Sequence, residues 1–202
     1  MSIDKAVKMG RRKPISVRWV DVNQGDDKEP NVRSRLVARE IRSPGTDSVF
    51  APTPPLEALR MVLSLACTQM KDEDQKHWQA DHPERMQLSL IDISRAYFNA
   101  KTDPSDPVFV QLPDEHPEAG KGVCGQLLRH MYGTQRAADG WQAEYSQTLK
   151  DLGFTQGTSS PCVFWHKEKR LICSVHGDDF TTAGPRPSLD WFEGEVEARY
   201  DA

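Results

Sequence analysis

Leu171-Ile172-Cys173-Ser174-Val175-His176-Gly177-Asp178-Asp179-Phe180-Thr181-Thr182-Ala183-Gly184 is a pair of apolar runs that meet at two adjacent aspartates. Runs of this length and composition around a Gly-Asp step read as neighbouring antiparallel strands and a tight turn. Two ionised carboxylates about 4 Å apart repel by roughly 4 kcal/mol at an effective dielectric near 20, so the arrangement persists more easily where a cation compensates. Asp178 and Asp179 are therefore either candidate metal ligands or residues of a solvated turn, since Gly-Asp and Asp-Asp are common in hairpins. A third carboxylate bears on that choice. Asp92 interrupts Gln87-Leu88-Ser89-Leu90-Ile91-Asp92-Ile93, which otherwise reads as a strand apolar on both faces. A carboxylate in such a strand is costly unless paired or metal-bound.

Working outward, Cys162-Val163-Phe164-Trp165-His166 and the charged turn Lys167-Glu168-Lys169-Arg170 add a strand that completes an antiparallel meander with the opening stretch. Before it, Trp141, Tyr145, Leu149 and Leu152 form one stripe of a helix from about Ala137 to Leu152, stopped at Gly153. After it, Leu189, Phe192, Val196 and Tyr200 keep helical spacing. A further helix is expected over Leu56 to Met70, with Thr53 as N-cap, Pro54 in the first turn, and Leu56, Leu59, Leu63, Ala66 and Met70 facing the core. Pro107 to Pro113 reads as a short strand, and Ser94-Arg95-Ala96-Tyr97-Phe98-Asn99 as a turn opening a short helix whose free amides could accept an anion. Lys71 to Glu84 is polar and loop-like, and His77 and His82 within it receive no role.

The front of the chain is basic. Residues 1–42 carry eleven Lys/Arg against six Asp/Glu, a balance of +5, which leaves −9 for the remainder of a chain whose net charge is −4. Such asymmetry suits one face to a polyanion. Residues 1–14 lack apolar periodicity and read as a basic, disordered arm. Ile15 to Val22 and Val32 to Arg39 flank a polar turn and read as a hairpin. Alternation sets Arg33, Arg35, Val37 and Arg39 on one side and Val32, Ser34, Leu36 and Ala38 on the other. The arginine side is either a phosphate-facing surface or an exposed hairpin face. Residues 43–55 form a proline-rich linker. No run of 18 apolar residues exists, and the polar N-terminus lacks the apolar core of a secretion signal, so an intracellular protein is expected, in a cytoplasmic particle or the nucleus. Cys67, Cys124, Cys162 and Cys173 are widely spaced, which excludes a C-x-x-C zinc site and points to buried reduced thiols. The whole is expected to be α+β, its antiparallel sheet packed on helices.

If Asp92 and the Asp178-Asp179 turn lie on neighbouring strands, three carboxylates meet at one point. That describes a site for two divalent ions, with hard oxygen ligands suited to Mg²⁺ or Mn²⁺. In order along the chain, Arg33-Ser34-Arg35-Leu36-Val37-Ala38-Arg39, Leu90 to Asn99, Leu128-Arg129-His130-Met131-Tyr132-Gly133 with Trp141, Leu152-Gly153-Phe154, and Val175-His176-Gly177-Asp178-Asp179 with Ala183-Gly184 resemble the reverse transcriptase domain of copia-type LTR retrotransposons. The resemblance implies a palm-and-fingers polymerase fold, with fingers hairpin and linker in 15–55 and the palm with part of the fingers in 56–202, truncated before thumb and RNase H. It implies RNA-directed DNA polymerisation, with Asp92, Asp178 and Asp179, joined by the Ile93 backbone carbonyl, holding two Mg²⁺ or Mn²⁺ ions. It implies that Ser94, Arg95 and Ala96 hold the dNTP triphosphate, that Tyr97 lies under the incoming sugar, that Arg35 touches phosphate, and that Arg33 and Arg39 meet nucleic acid. The implied partners are an RNA or DNA template-primer, dNTP and the rest of a Pol polyprotein, integrase and RNase H included. No membrane is among them. The alternatives are a decayed or domesticated copy that binds nucleic acid without catalysis, and an unrelated metal-dependent nuclease or cyclase. Two departures from the family stand out. His176-Gly177 replaces a Tyr-Val pair, and the glycine is expected to loosen the turn. Arg136 stands where the family has a template-side glutamine, so no role is carried over to it.

Overall fold

A computed structural model describes residues 1–41, 53–67, 82 and 84–202. In chain order they form α1 (Ile3–Gly10), β1 (Val17–Asn23), β2 (Val32–Ala38), α2 (Leu56–Cys67), β3 (Met86–Asp92), a 3-10 turn (Ala96–Asn99), β4 (Phe109–Gln111), β5 (Cys124–Gln126), α3 (Ala137–Asp151), β6 (Thr155–Gln156), β7 (Val163–His166), β8 (Leu171–His176), β9 (Asp179–Pro185) and α4 (Arg186–Glu197). This is a mixed helix and sheet protein in which every sheet is antiparallel. Two units emerge, Met1–Phe50 with Tyr97–Trp141, and Ala51–Ala96 with Gln142–Ala202. Residues 97–141 thus share a unit with the hairpin.

In the first unit β1 and β2 pair from Val17↔Ala38 to Asn23↔Val32. The Asn23 side chain closes the long turn by accepting the amides of Gly25 (3.0 Å) and Asn31 (2.9 Å). At the hairpin base Ile15 and Ala38 are buried with Val108, Val110 and Met131, and Val17 and Leu36 pack against them. Leu36 and Ala38 thus supply the core side, as alternation requires. Residues 1–14 are not the disordered arm expected. Ser2 caps α1 by accepting from the Lys5 amide (3.4 Å), and Ala6 is fully buried beside Phe109 and Cys124. A two-turn helix held by Ile3 and Ala6 carries too few apolar residues to display a period, and tertiary packing supplies its stability.

The second unit holds a five-stranded sheet in the order β3-β9-β8-β7-β6, which contains the expected meander. Phe164, Cys173, Val175 and Phe180 are buried on one face. The Tyr145 ring of α3 meets Phe164 at 6.1 Å and Phe180 at 5.8 Å, and Phe154 meets Phe192 of α4 at 5.3 Å. Helix α3 ends as expected at Gly153, whose φ of +94° lets the Gly153 and Phe154 amides reach the carbonyls of Lys150 and Leu149, both at 2.9 Å. Helix α2 packs against β3, β8 and β9.

Several expectations change. Helix α2 starts at Leu56, with the Pro55 carbonyl accepting from Ala58 (2.9 Å) and Leu59 (3.4 Å), so Thr53 and Pro54 lie outside it. Its fully buried residue is Val62, whereas Leu56 and Leu63 are exposed. Leucine at 56, 59, 63 and 65 makes an apolar band too wide to fix the buried stripe. Met70, His77 and most of the proline-rich linker lie outside the described residues. Strand β3 is the sheet edge, and Leu90 is 71% exposed, so this run is not buried on both faces. Cys124, Cys162 and Cys173 are free and buried, with burial pushing the Cys173 thiol up to about 12, but Cys67 is exposed. Among the described residues no helix is long and apolar enough to cross a membrane.

Candidate functional site

The site grows from a two-residue turn. Strands β8 and β9 close on the pair His176↔Asp179, leaving Gly177 and Asp178 as the loop. Gly177 has φ +66°, a left-handed conformation that costs other L-residues about 1–2 kcal/mol. Glycine therefore suits this turn instead of loosening it. The Asp178 carbonyl accepts the Ile93 amide at 2.9 Å, which ties the loop to the end of β3.

That bond also sets the spacing of the carboxylates. It marks Ile93 and Asp178 as a hydrogen-bonded pair, so Asp92↔Asp179, one step along the register, is a non-hydrogen-bonded pair with Cα atoms about 4.5 Å apart and side chains drawn together. Asp92, Asp179 and His176 follow one another across β3, β9 and β8 on the same face. All three, and Asp178, are exposed. Burial and the charges of Asp178 and Asp92 hold the Asp179 carboxyl above its ordinary value, with His176 opposing. The condition read from sequence, that the Asp92 strand lie beside the hairpin, is met by the pairing of β3 with β9. In sequence His176 is read only as a departure, although its position directly before the Gly177-Asp178 loop, on the strand beside Asp179, marks it as a neighbour.

The donors here are carboxylate oxygens, which suits Mg²⁺ or Mn²⁺. Asp92 and Asp179 are disposed as a pair. Among the described residues no group of three or more His, Cys, Asp or Glu side chains is gathered to hold a metal ion. Ile93, whose carbonyl was the expected fourth donor, is fully buried.

The expected phosphate cradle is engaged by the chain itself. The Ser94 amide donates to the Asp201 carbonyl (2.7 Å), and the Arg95 guanidinium donates to the Asp201 carboxylate (2.6 Å). Arg95 is left-handed at φ +53°, and Ala96 is buried as the 3-10 turn begins.

The first unit collects the remaining residues. The Arg35 guanidinium lies over the Tyr132 ring at 5.9 Å, and Tyr132 meets Tyr97 at 4.7 Å and Phe98 at 5.8 Å. Arg35 and Tyr97 are thus brought together through a tyrosine to which sequence reasoning gave no role. The adjacent glycine was its signal. Gly133 has φ +83°, and a Cβ there would lie 2.0 Å from the Ala38 carbonyl oxygen, so only glycine lets Tyr132 dock on β2. Arg33 and Arg39 are exposed. Arg136 pairs with Asp106 at 2.8 Å.

A comparison with curated proteins finds no match. A family model described as reverse transcriptase (RNA-dependent DNA polymerase) matches residues 5–201, a span that takes in most of α1, the arginine-bearing hairpin, β3 and the carboxylate turn. By that match the chain belongs to the reverse transcriptase family.

Proposed function

We propose that this chain is a retrotransposon reverse transcriptase of copia type, a palm-and-fingers polymerase that extends a primer 3′-hydroxyl with dNTP on an RNA or DNA template. The observation that carries the proposal is the Asp92↔Asp179 pair beside Asp178 at one end of the sheet, in a chain of this family. Asp92, Asp178 and Asp179, with the Ile93 carbonyl, would hold two Mg²⁺ or Mn²⁺ ions. Such ions, when bound, favour the ionised 3′-hydroxyl and neutralise charge on the leaving pyrophosphate. The work of this chain is positioning. The second unit would be the palm, and the β1–β2 hairpin part of the fingers.

Arg35, steadied over Tyr132, offers guanidinium donors to a phosphate, and Arg33 and Arg39 offer further cationic contacts to nucleic acid. Tyr97 presents an aromatic wall to the incoming sugar. Ser94, Arg95 and Ala96 would receive the triphosphate once Asp201 withdraws. That exchange is easy, since the Arg95 and Asp201 side chains are both about two-thirds exposed and such pairs are worth little.

Binding of nucleic acid without catalysis is the second reading, favoured by the lack of a gathered three-carboxylate group among the described residues. Primer extension on poly(rA)/oligo(dT) with Mn²⁺, comparing the wild type with Asp92→Asn and Asp178→Asn, separates the two. Incorporation by the wild type alone is expected, and equal incorporation by all three proteins would sink the catalytic reading.

A further inference from the structure

We infer that the cavity between the end of α1, the loop after the 3-10 turn and the start of α3 is a binding site for a terminal phosphate monoester, held by Arg11, Lys101 and His130. The cavity measures about 520 Å³ and lies wholly within the first unit. Arg11, Arg12, Lys101 and Arg136 line it together with four carboxylates. Three of those carboxylates are already engaged. Glu40 accepts from the Arg12 guanidinium (2.5 Å) and the Gln135 amide (2.7 Å), Asp106 pairs with Arg136 (2.8 Å), and Asp103 accepts the amide and hydroxyl of Ser105 (2.8 and 2.7 Å). Arg11 and Lys101 are exposed, and among the described residues their side chains have no hydrogen-bond or ion-pair partner. Two unanswered positive charges call for a dianion, which a phosphate monoester supplies near neutral pH.

An independent observation, His130, points to a ligand in the same place. It lines the cavity, is 8% exposed, and its imidazole makes no hydrogen bond among the described residues. Among those residues the unpaired side-chain atoms sealed from solvent are Asp139 Oδ1, Ser174 Oγ and Thr182 Oγ1, so the unpaired His130 nitrogens keep an opening, and the cavity supplies it. Native interiors leave few polar groups without a partner. The ring also has a seat made for it. Gly140 belongs to α3, where glycine is less stable than alanine, and a Cβ there would lie 2.2 Å from His130 Nε2. Burial keeps the imidazole neutral, with Asp139, the fourth carboxylate, opposing and Arg136 reinforcing. A bound phosphate would join Asp139 in favouring the imidazolium, which donates to the ligand. A ring this deep is reached by the end of a ligand and not by the middle of a strand, which selects a monoester over a phosphodiester.

The site stands whether or not the chain polymerises, and its test reads binding alone. At pH 8 a phosphate monoester, with a second pKa of about 6, is dianionic, and phenyl sulfate is the monoanionic counterpart of phenyl phosphate. In isothermal titration of the full chain, phenyl phosphate is expected to bind about tenfold more tightly than phenyl sulfate. Arg11→Ala and Lys101→Ala, at exposed positions that leave folding intact, are each expected to weaken phenyl phosphate about tenfold, the scale of one charge-assisted hydrogen bond. His130→Phe, which keeps a ring and removes both nitrogens, is expected to weaken it by a similar factor. A short oligothymidylate with and without a 5′-phosphate then identifies the source. Tighter binding of the phosphorylated strand assigns the site to a nucleic-acid end, and parity assigns it to a small ester. Equal affinity for phenyl phosphate and phenyl sulfate would overturn the inference, as would unchanged binding in both alanine variants or no binding at millimolar probe.

Discussion

Without a divalent ion, Asp179→Asn should make the protein more stable. Asp92 and Asp179 are a cross-strand pair whose Cα atoms are about 4.5 Å apart in this register position, and like charges placed so oppose folding. With carboxylates roughly 5 Å apart the repulsion is about 3 kcal/mol at an effective dielectric of 20 and about 1 kcal/mol in water. Both side chains are exposed, so solvent screening selects the lower figure. Asparagine keeps the size and removes the charge, for an expected gain of about 0.5–1 kcal/mol, or roughly 1–4 °C in Tm for a chain of this length. The assay is thermal and urea unfolding followed by circular dichroism, in EDTA at low ionic strength. Near 1 M salt, where the screening length is about 3 Å, the difference between the proteins should shrink by more than half. Added Mn²⁺ should reverse the order, since binding to the native state stabilises the wild type and spares the variant. A variant at least 1 kcal/mol less stable than the wild type in EDTA would refute the reasoning, because Asp179 would then be held by attraction.

Gly133→Ala should destabilise by more than about 2 kcal/mol in urea unfolding, since left-handed strain adds to a Cβ only 2.0 Å from the Ala38 carbonyl oxygen. Gly177→Ala, with nothing within 4 Å of its Cβ, should show the strain alone, about 1 kcal/mol. Burial holds the His130 imidazole below its ordinary pKa, an effect that Arg136 reinforces and Asp139 opposes. The unfolded chain therefore takes up the proton first as pH falls, so stability contributed by neutral His130 is whole above about 6.5 and declines below it. Urea midpoints between pH 8 and pH 5 should fall less in His130→Gln than in the wild type. If the exposed arginines of β2 meet phosphates, Arg33→Ala with Arg35→Ala should lower the slope of log affinity against log salt by roughly two in filter binding to poly(rA)/oligo(dT). An unchanged slope would remove that surface from the nucleic-acid reading.

What sequence made legible was governed by how many residues repeated a pattern. The meander of β7, β8 and β9 has apolar runs over three strands with a turn signal between each, and α3 joins a three-turn apolar stripe to the one residue that suits its C-terminal end, Gly153. These elements position Asp179, and the approach of Asp92 follows from pairing β3 with β9. Where a pattern was short or ambiguous it failed. Helix α1 rests on Ile3 and Ala6, whose burial depends on Phe109 and Cys124 a hundred residues away, a dependence that no local window contains. Strand β3 reads as apolar on both faces because Leu88, Leu90 and Ile91 are apolar, yet its edge position exposes Leu90 and changes the meaning of Asp92. A carboxylate there is not a buried charge that demands a partner. It is a solvated charge aligned with Asp179 by the register, and the cost it imposes is repulsion instead of desolvation. Burial and repulsion both disfavour the ionised Asp179 carboxyl, so each predicts that neutralising it stabilises the fold, whereas attraction to a paired cation predicts the reverse. The candidate site is thus a place where the fold tolerates unfavourable electrostatics, and that tolerance, more than the presence of aspartates, separates a cation site from a solvated turn.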